Sequence, residues 1–184
     1  MATASATSHD LGWRAADFEL EGVDGRRHKL ADLKGAKGTL VMFICNHCPY
    51  VRGVIDGVVE DCKALAADGV TAVAIMPNDT EAYPADSFDK MKEFARQHGF
   101  GFPYLIDRTQ AVARAYGAVC TPDLFGFDAG LALRYRGRVQ EMRGSSPAKG
   151  AKREMLEAMR AIARTGKGPA DQVPAIGCSI KWRS

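Results

Sequence analysis

Two apolar runs dominate the hydropathy pattern. Residues 39–44 (Thr-Leu-Val-Met-Phe-Ile) and residues 70–76 are strand-length and apolar but for one threonine each. Such runs predict strands buried on both faces. Residues 17–20 and 27–30 flank Gly22-Val23-Asp24-Gly25, which predicts a β-hairpin closed by an Asp-Gly turn. From Pro49 to Ala67 the period changes. Val51, Val54, Ile55, Val58, Val59, Cys62 and Leu65 recur at spacings of three and four, and Asp68-Gly69 follows. That is a helix with its stop. The pattern then predicts a helix over 86–98, a strand over 104–106, a helix over 109–116 ended by Gly117 and a loop over 119–123. A hairpin over 124–128 and 131–139 follows, and a last helix over 152–164.

Strands alternating with helices imply βαβ crossovers and parallel pairing, and the closing hairpin and helix add an antiparallel edge. The expected fold is therefore α/β, a mixed sheet with helices on both faces. Functional sites in such sheets lie at the C-terminal ends of the strands. The chain has 184 residues, 46% hydrophobic and 26% charged, the make-up of one globular domain. The apolar runs fall far short of the ~18–20 residues of a membrane span.

Net charge is +3, unevenly spread: 12 basic and 4 acidic residues follow from Arg134 onward. No helix-turn-helix, zinc-finger or aromatic-basic pattern accompanies that surplus, so it reads as a solvated surface and not a nucleic-acid site. Arg134, Arg136 and Arg138 alternate on one strand face, expected to be solvated. Residues 1–10 lack the basic and apolar regions of a secretory signal. A frayed tail is expected over 1–14, a domain over 15–165, and a tail over 166–184 that folds back on it. The expected location is cytoplasmic, where cysteines are more often reactive than structural.

The chemistry concentrates in Cys45-Asn46-His47-Cys48-Pro49, directly after the first buried strand. Residues i and i+3 of a tight turn have Cα atoms about 5–6 Å apart, within reach of a disulfide. Pro49 favours the first helical position, which makes Cys48 the N-cap. There the unpaired N–H groups and the helix dipole favour a thiolate, and a protonated His47 would add to that. Cys48 is the expected nucleophile and Cys45 the expected resolving partner. Cys62 lies on the apolar helix face and reads as core. His98 reads as a helix C-terminal dipole partner. No phosphate or dinucleotide loop is present, so no cofactor is expected.

These segments resemble the thioredoxin-fold superfamily and, within it, peroxiredoxin-like (AhpC/TSA, redoxin-domain) proteins. The resemblance rests on residues 40–44, the Cys45–Val51 string Cys-Asn-His-Cys-Pro-Tyr-Val, Cys120-Thr121-Pro122-Asp123 and the terminal Gly177-Cys178-Ser179-Ile180-Lys181-Trp182. It implies a three-layer α/β/α sandwich with an N-terminal hairpin and a peroxiredoxin-like insertion over 78–107. It also implies that the attacking cysteine follows Phe43 by five positions, which is Cys48. Thr121 and Pro122 would form a cis loop beside the nucleophile, Thr121 offering backbone groups to an extended substrate. Cys120 would lie near the pair as an additional redox thiol. Cys178 would be another if its tail folds back, with Ile180 and Trp182 as anchors.

The function implied is thiol–disulfide exchange in redox homeostasis, with a protein or small-molecule disulfide as substrate and a reducing dithiol as partner; an oligomer is compatible. Two alternatives accompany it. One is a thiol peroxidase with Cys48 as peroxidatic thiol, although the Pro-x-x-x-Thr-x-x-Cys pocket of peroxiredoxins has Val41 and Cys45 in place of its proline and hydroxyl. The other is a Cu(I)- or zinc-binding protein using Cys45 and Cys48, although no histidine follows His98.

Overall fold

The computed structural model describes residues 2–5 and 10–184. The chain runs through β1 (Thr3–Ser5), β2 (Glu19–Gly22), β3 (Arg27–Lys29), α1 (Leu30–Leu33), β4 (Gly38–Phe43), α2 (Pro49–Ala67) and β5 (Val70–Met76). A 3-10 turn (Pro84–Asp86), α3 (Phe88–Gln97), β6 (Tyr104–Ile106), α4 (Ala111–Tyr116), β7 (Cys120–Thr121), β8 (Asp123–Asp128) and β9 (Leu133–Tyr135) follow. The chain ends with β10 (Met142–Arg143), β11 (Ser146–Pro147), α5 (Glu154–Thr165) and β12 (Ile176–Ser179).

Seven strands form the central sheet in the order β3-β2-β6-β5-β4-β8-β9. β4 pairs parallel with β5 and antiparallel with β8, and β5 pairs parallel with β6. Every residue of β4 is buried, as a strand covered on both faces requires. The strand's alternation sorts its side chains into two layers. Leu40 and Met42 pack with Val51, Ile55, Met91, Met155 and Met159 from α2, α3 and α5. Val41 and Phe43 pack with Leu30, Ala113 and Tyr116 from α1 and α4. The expected three-layer sandwich is present, and no helix among the described residues is long and apolar enough to cross a membrane.

Several expectations need correction. The helix expected over 86–98 begins at Phe88, because Ser87 Oγ accepts from Lys90 N at 3.4 Å and caps it. Asp86 is left in the 3-10 turn, fully buried. The loop expected over 119–123 contains β7. The strand expected over 131–139 stops at Tyr135, because Arg136 turns inward. Its guanidinium makes paired 3.0 Å bonds to Asp123 and stacks 3.8 Å from the Phe125 ring centroid. Arg136 is thus buried and not solvated, while Arg134 and Arg138 pair with Asp128 and Glu154. His98 caps α3 and contacts Asp56, Nδ1 to Oδ1, at 2.7 Å.

The N-terminal expectation also changes. Residues 1 and 6–9 of the expected tail lie outside the described residues, but β1 does not fray. It pairs antiparallel with β12, which in turn pairs with β7. The C-terminal segment folds back as the middle strand of a second, three-stranded sheet.

Candidate active site

The site forms where β4 ends and α2 begins. Cys48 is the N-cap of α2, with φ −69 and ψ 122, and Pro49 opens the helix. Cys45 and Cys48 are both buried. The Thr121–Pro122 peptide is cis, and Thr121 touches both sulfurs. Cys48 Sγ lies 3.1 Å from Thr121 O, a bond only its protonated form can donate, and Cys45 Sγ lies 3.3 Å from Thr121 Oγ1. β12 brings a third sulfur: Cys178 Sγ stands 2.9 Å from Cys48 Sγ. Cys120, by contrast, turns its thiol to Pro122 O at 3.6 Å and packs against Ala175. Cys62 lies in the core, its thiol pushed up to about 12 by burial.

The three clustered thiols differ sharply in acidity. A hydrogen bond from the Cys45 thiol is the largest influence on Cys48. Burial opposes it, and the Cys178 thiol and the backbone N–H groups of Val51 and Cys178 help bring Cys48 down to about 5. The Val51 N–H, in the first turn of α2, is the physical content of the N-cap argument, and the Cys178 N–H comes from β12. Cys45 is raised well above the usual thiol range by the same hydrogen bond, by burial and by the Asp86 carboxylate. Burial, and then the bond to Cys48, raises Cys178 to about 12, while Lys181 pulls the other way.

Beneath the sulfurs lies a polar scaffold that the sequence pattern did not expose. Asp86 Oδ1 accepts from Asn46 N at 2.9 Å, and Oδ2 accepts from Asn78 Nδ2 at 2.8 Å. Asn46 donates to Ala85 O and accepts from the Tyr104 hydroxyl at 2.8 Å. His47 Nδ1 lies 2.7 Å from Asp86 Oδ2, out of line for a hydrogen bond, and its ring stacks on Tyr83 at 6.0 Å. One donor atom each of Cys45, His47 and Asp86 lie within 4.8 Å of one another, a spacing a metal ion can bridge, although both Asp86 oxygens are already hydrogen-bonded.

Asn78 also holds the tail. Its Oδ1 accepts from Lys181 N at 2.9 Å, and Lys181 O accepts from Asp79 N and Gln110 Nε2. Ile180 is buried, and Arg114 lies 4.3 Å over the Trp182 ring. Asn78 stands just beyond the C-terminal end of β5, and that position is the one signal that could have marked it.

Clustered thiols at the end of a central strand, beside a cis-proline loop in a three-layer sandwich, define a thioredoxin-fold redoxin. The sequence profile of the AhpC/TSA family matches residues 11–138, and the chain belongs to that family. It is similar to an uncharacterized conserved protein from Geobacillus kaustophilus, with 41% identity, TM-score 0.94 and coverage of 100% and 97% of the two chains. A hypothetical protein from Sinorhizobium meliloti 1021 is similar at 37% identity and TM-score 0.91, covering 98% of each chain. The thioredoxin domain of a thiol-disulfide oxidoreductase from Bacteroides vulgatus shares the fold, at 19% identity and TM-score 0.60 over 74% of this chain and 91% of that one. Among curated proteins, the thiol-disulfide oxidoreductase ResA of Geobacillus thermodenitrificans is 29% identical over 66% of each chain. The chain thus spans just under two-thirds of the length of that relative.

Proposed function

We propose that this protein is a thiol–disulfide oxidoreductase with Cys48 as its nucleophile, in a Cys45–Cys48 motif. One observation carries this reading. Cys48 is a buried helix N-cap that two neighbouring thiols and backbone N–H groups hold as a thiolate at neutral pH. The Cys48 thiolate attacks one sulfur of a substrate disulfide, and the other sulfur leaves as a thiolate and takes a proton from solvent. A second thiol of the site then attacks Cys48 Sγ, and the bound fragment leaves as a thiol. A dithiol reductant returns the protein to its reduced form.

Cys45 donates the hydrogen bond that holds the thiolate, and Asp86, accepting from Asn46 N, fixes the loop between the two cysteines, with His47 beside it. Thr121 supplies the carbonyl and hydroxyl that touch the sulfurs. The names of the ResA relatives support this activity. The cytoplasmic address belongs to the same proposal, since a reducing compartment would supply the dithiol reductant; cell fractionation tests it. The Thr121 hydroxyl faces Cys45 and not Cys48, which weighs against a peroxide pocket at Cys48.

The test is reduction of 5,5′-dithiobis(2-nitrobenzoate) and of insulin by the reduced protein. Wild type reduces the aromatic disulfide, and Cys48→Ser does not. Equal rates for the two would remove the proposal.

A further inference from the structure

We infer that β12 is an internal substrate mimic and that Cys178, not Cys45, resolves Cys48. The inference rests on the exchange activity proposed above. In this fold an extended substrate would pair with the backbone of Thr121, the residue before the cis-proline, by β-augmentation. Here the chain's own tail takes that edge. β12 runs antiparallel to β7, with Cys178 opposite Thr121 and Ser179 opposite Cys120. Cys178 therefore stands where the sulfur of a bound polypeptide would stand. Its Sγ is 2.9 Å from Cys48 Sγ, less than 1 Å beyond a disulfide bond length of about 2.05 Å.

Docking is built into the sequence of the tail. A Cβ at Gly177 would overlap the Thr121 carbonyl and come within 3.1 Å of Pro122 N, so only glycine lets the strand approach. Ile180 N donates to Val119 O at 3.1 Å, and Asn78, Asp79 and Gln110 grip Lys181.

Cys45 is the weaker candidate for resolution. Its sulfur is engaged with Thr121 Oγ1 at 3.3 Å; the bond to Cys48 and burial oppose the ionisation of both thiols, but the Asp86 carboxylate adds to that opposition at Cys45 and Lys181 reduces it at Cys178. The resolving step balances without another oxidant. Cys178 Sγ attacks Cys48 Sγ, the Cys48–S–R bond breaks, and the Cys178 proton ends on the departing thiol. Two protein thiols become one disulfide, and the substrate disulfide becomes two thiols. A docked tail also excludes an extended polypeptide from Thr121, so the substrate class is the low-molecular-weight disulfide.

The experiment treats full-length reduced protein with 5,5′-dithiobis(2-nitrobenzoate) and maps disulfides by mass. Wild type is expected to form Cys48–Cys178 and to release two thionitrobenzoates. Cys178→Ser is expected to stop at the mixed disulfide on Cys48 and release one. Gly177→Val, which keeps every cysteine, is expected to lose most of the Cys48–Cys178 product. It should also reduce insulin faster than wild type, by on the order of tenfold, because the edge is open. A wild-type Cys45–Cys48 disulfide, or a second equivalent released by Cys178→Ser, overturns the inference and leaves the activity standing. Unreactive Cys48 in all three proteins overturns the activity itself, and the inference with it.

Discussion

At the scale of single residues, the acidity of Cys48 is a property of its neighbours. Cys45 is its strongest stabiliser, so Cys45→Ala is expected to move the Cys48 ionisation midpoint upward from about 5 toward the ordinary thiol value of about 8.5. The ultraviolet absorbance of the thiolate, followed against pH, measures this; an unmoved midpoint would show that Cys178 and the backbone N–H groups suffice without Cys45. The sign for stability follows. A thiol whose folded pKa is depressed contributes stability that is complete above its unfolded pKa of about 8.5 and is lost as pH falls through about 5. Denaturant midpoints of wild type relative to Cys48→Ser are expected to rise across that window. The cysteine pair was legible because Cys-x-x-Cys before Pro, after a buried run, has few other uses. Asp86 was not legible. A carboxylate ahead of an apolar helical face looks like an N-terminal helix residue, and only the cap at Ser87 shows that it turns inward.

At the scale of elements, two ion pairs, one buried on both sides and one with only its carboxylate buried, fix how neighbouring segments meet. Arg136 and Asp123 are both buried, and their paired bonds tie the end of β9 to the start of β8 next to the cis-proline loop. Removing one partner strands the other charge, so Arg136→Met is expected to cost about 3–5 kcal/mol in urea unfolding. Adding Asp123→Leu to it should recover much of that loss. Recovery would identify the pair as a positioning device and not a net source of stability. Asp61 belongs to the seam of α2 and α5, where it meets Arg153. Burial lifts it to about 6 despite that partner. A carboxyl whose folded pKa is raised contributes stability that is full below about 4 and lost as pH rises through about 6. Wild type relative to Asp61→Asn is therefore expected to lose on the order of 2–3 kcal/mol across that range. A flat difference would mean that Arg153 already compensates the charge. Periodicity placed α2 and β5 to the residue, since both are long and regularly patterned. It could not place Arg136, because an arginine alternating with two others reads as a solvated face until a buried partner is known.

At the scale of the molecule, the chain's two ends are built into one small sheet over the site. β1 and β12 meet across nearly the full length of the sequence, and no local pattern announces such a pairing. Three or four residues carry too little period, and the cost of closing so long a loop is offset only by contacts in the finished fold. The string Gly-Cys-Ser-Ile-Lys-Trp pointed to a tail that returns, but not to a strand, and Thr3–Ser5 gave no signal at all. The brace makes a sharp prediction about which bonds depend on which terminus. Ser179 N donates to Ala2 O at 3.0 Å, whereas Ile180 N donates to Val119 O, inside the domain. Deleting residues 1–5 is expected to speed hydrogen exchange at the Ser179 amide by tenfold or more and to leave Ile180 close to its wild-type protection. Equal acceleration at both would mean that β12 docks only as part of the three-stranded unit, so that the N-terminus controls how often Cys178 stands beside Cys48. Protection of both would mean that β7 and the grip on Lys181 hold the tail without help. The amide of residue 179 thus reports whether the site's third sulfur is held from one side or from two.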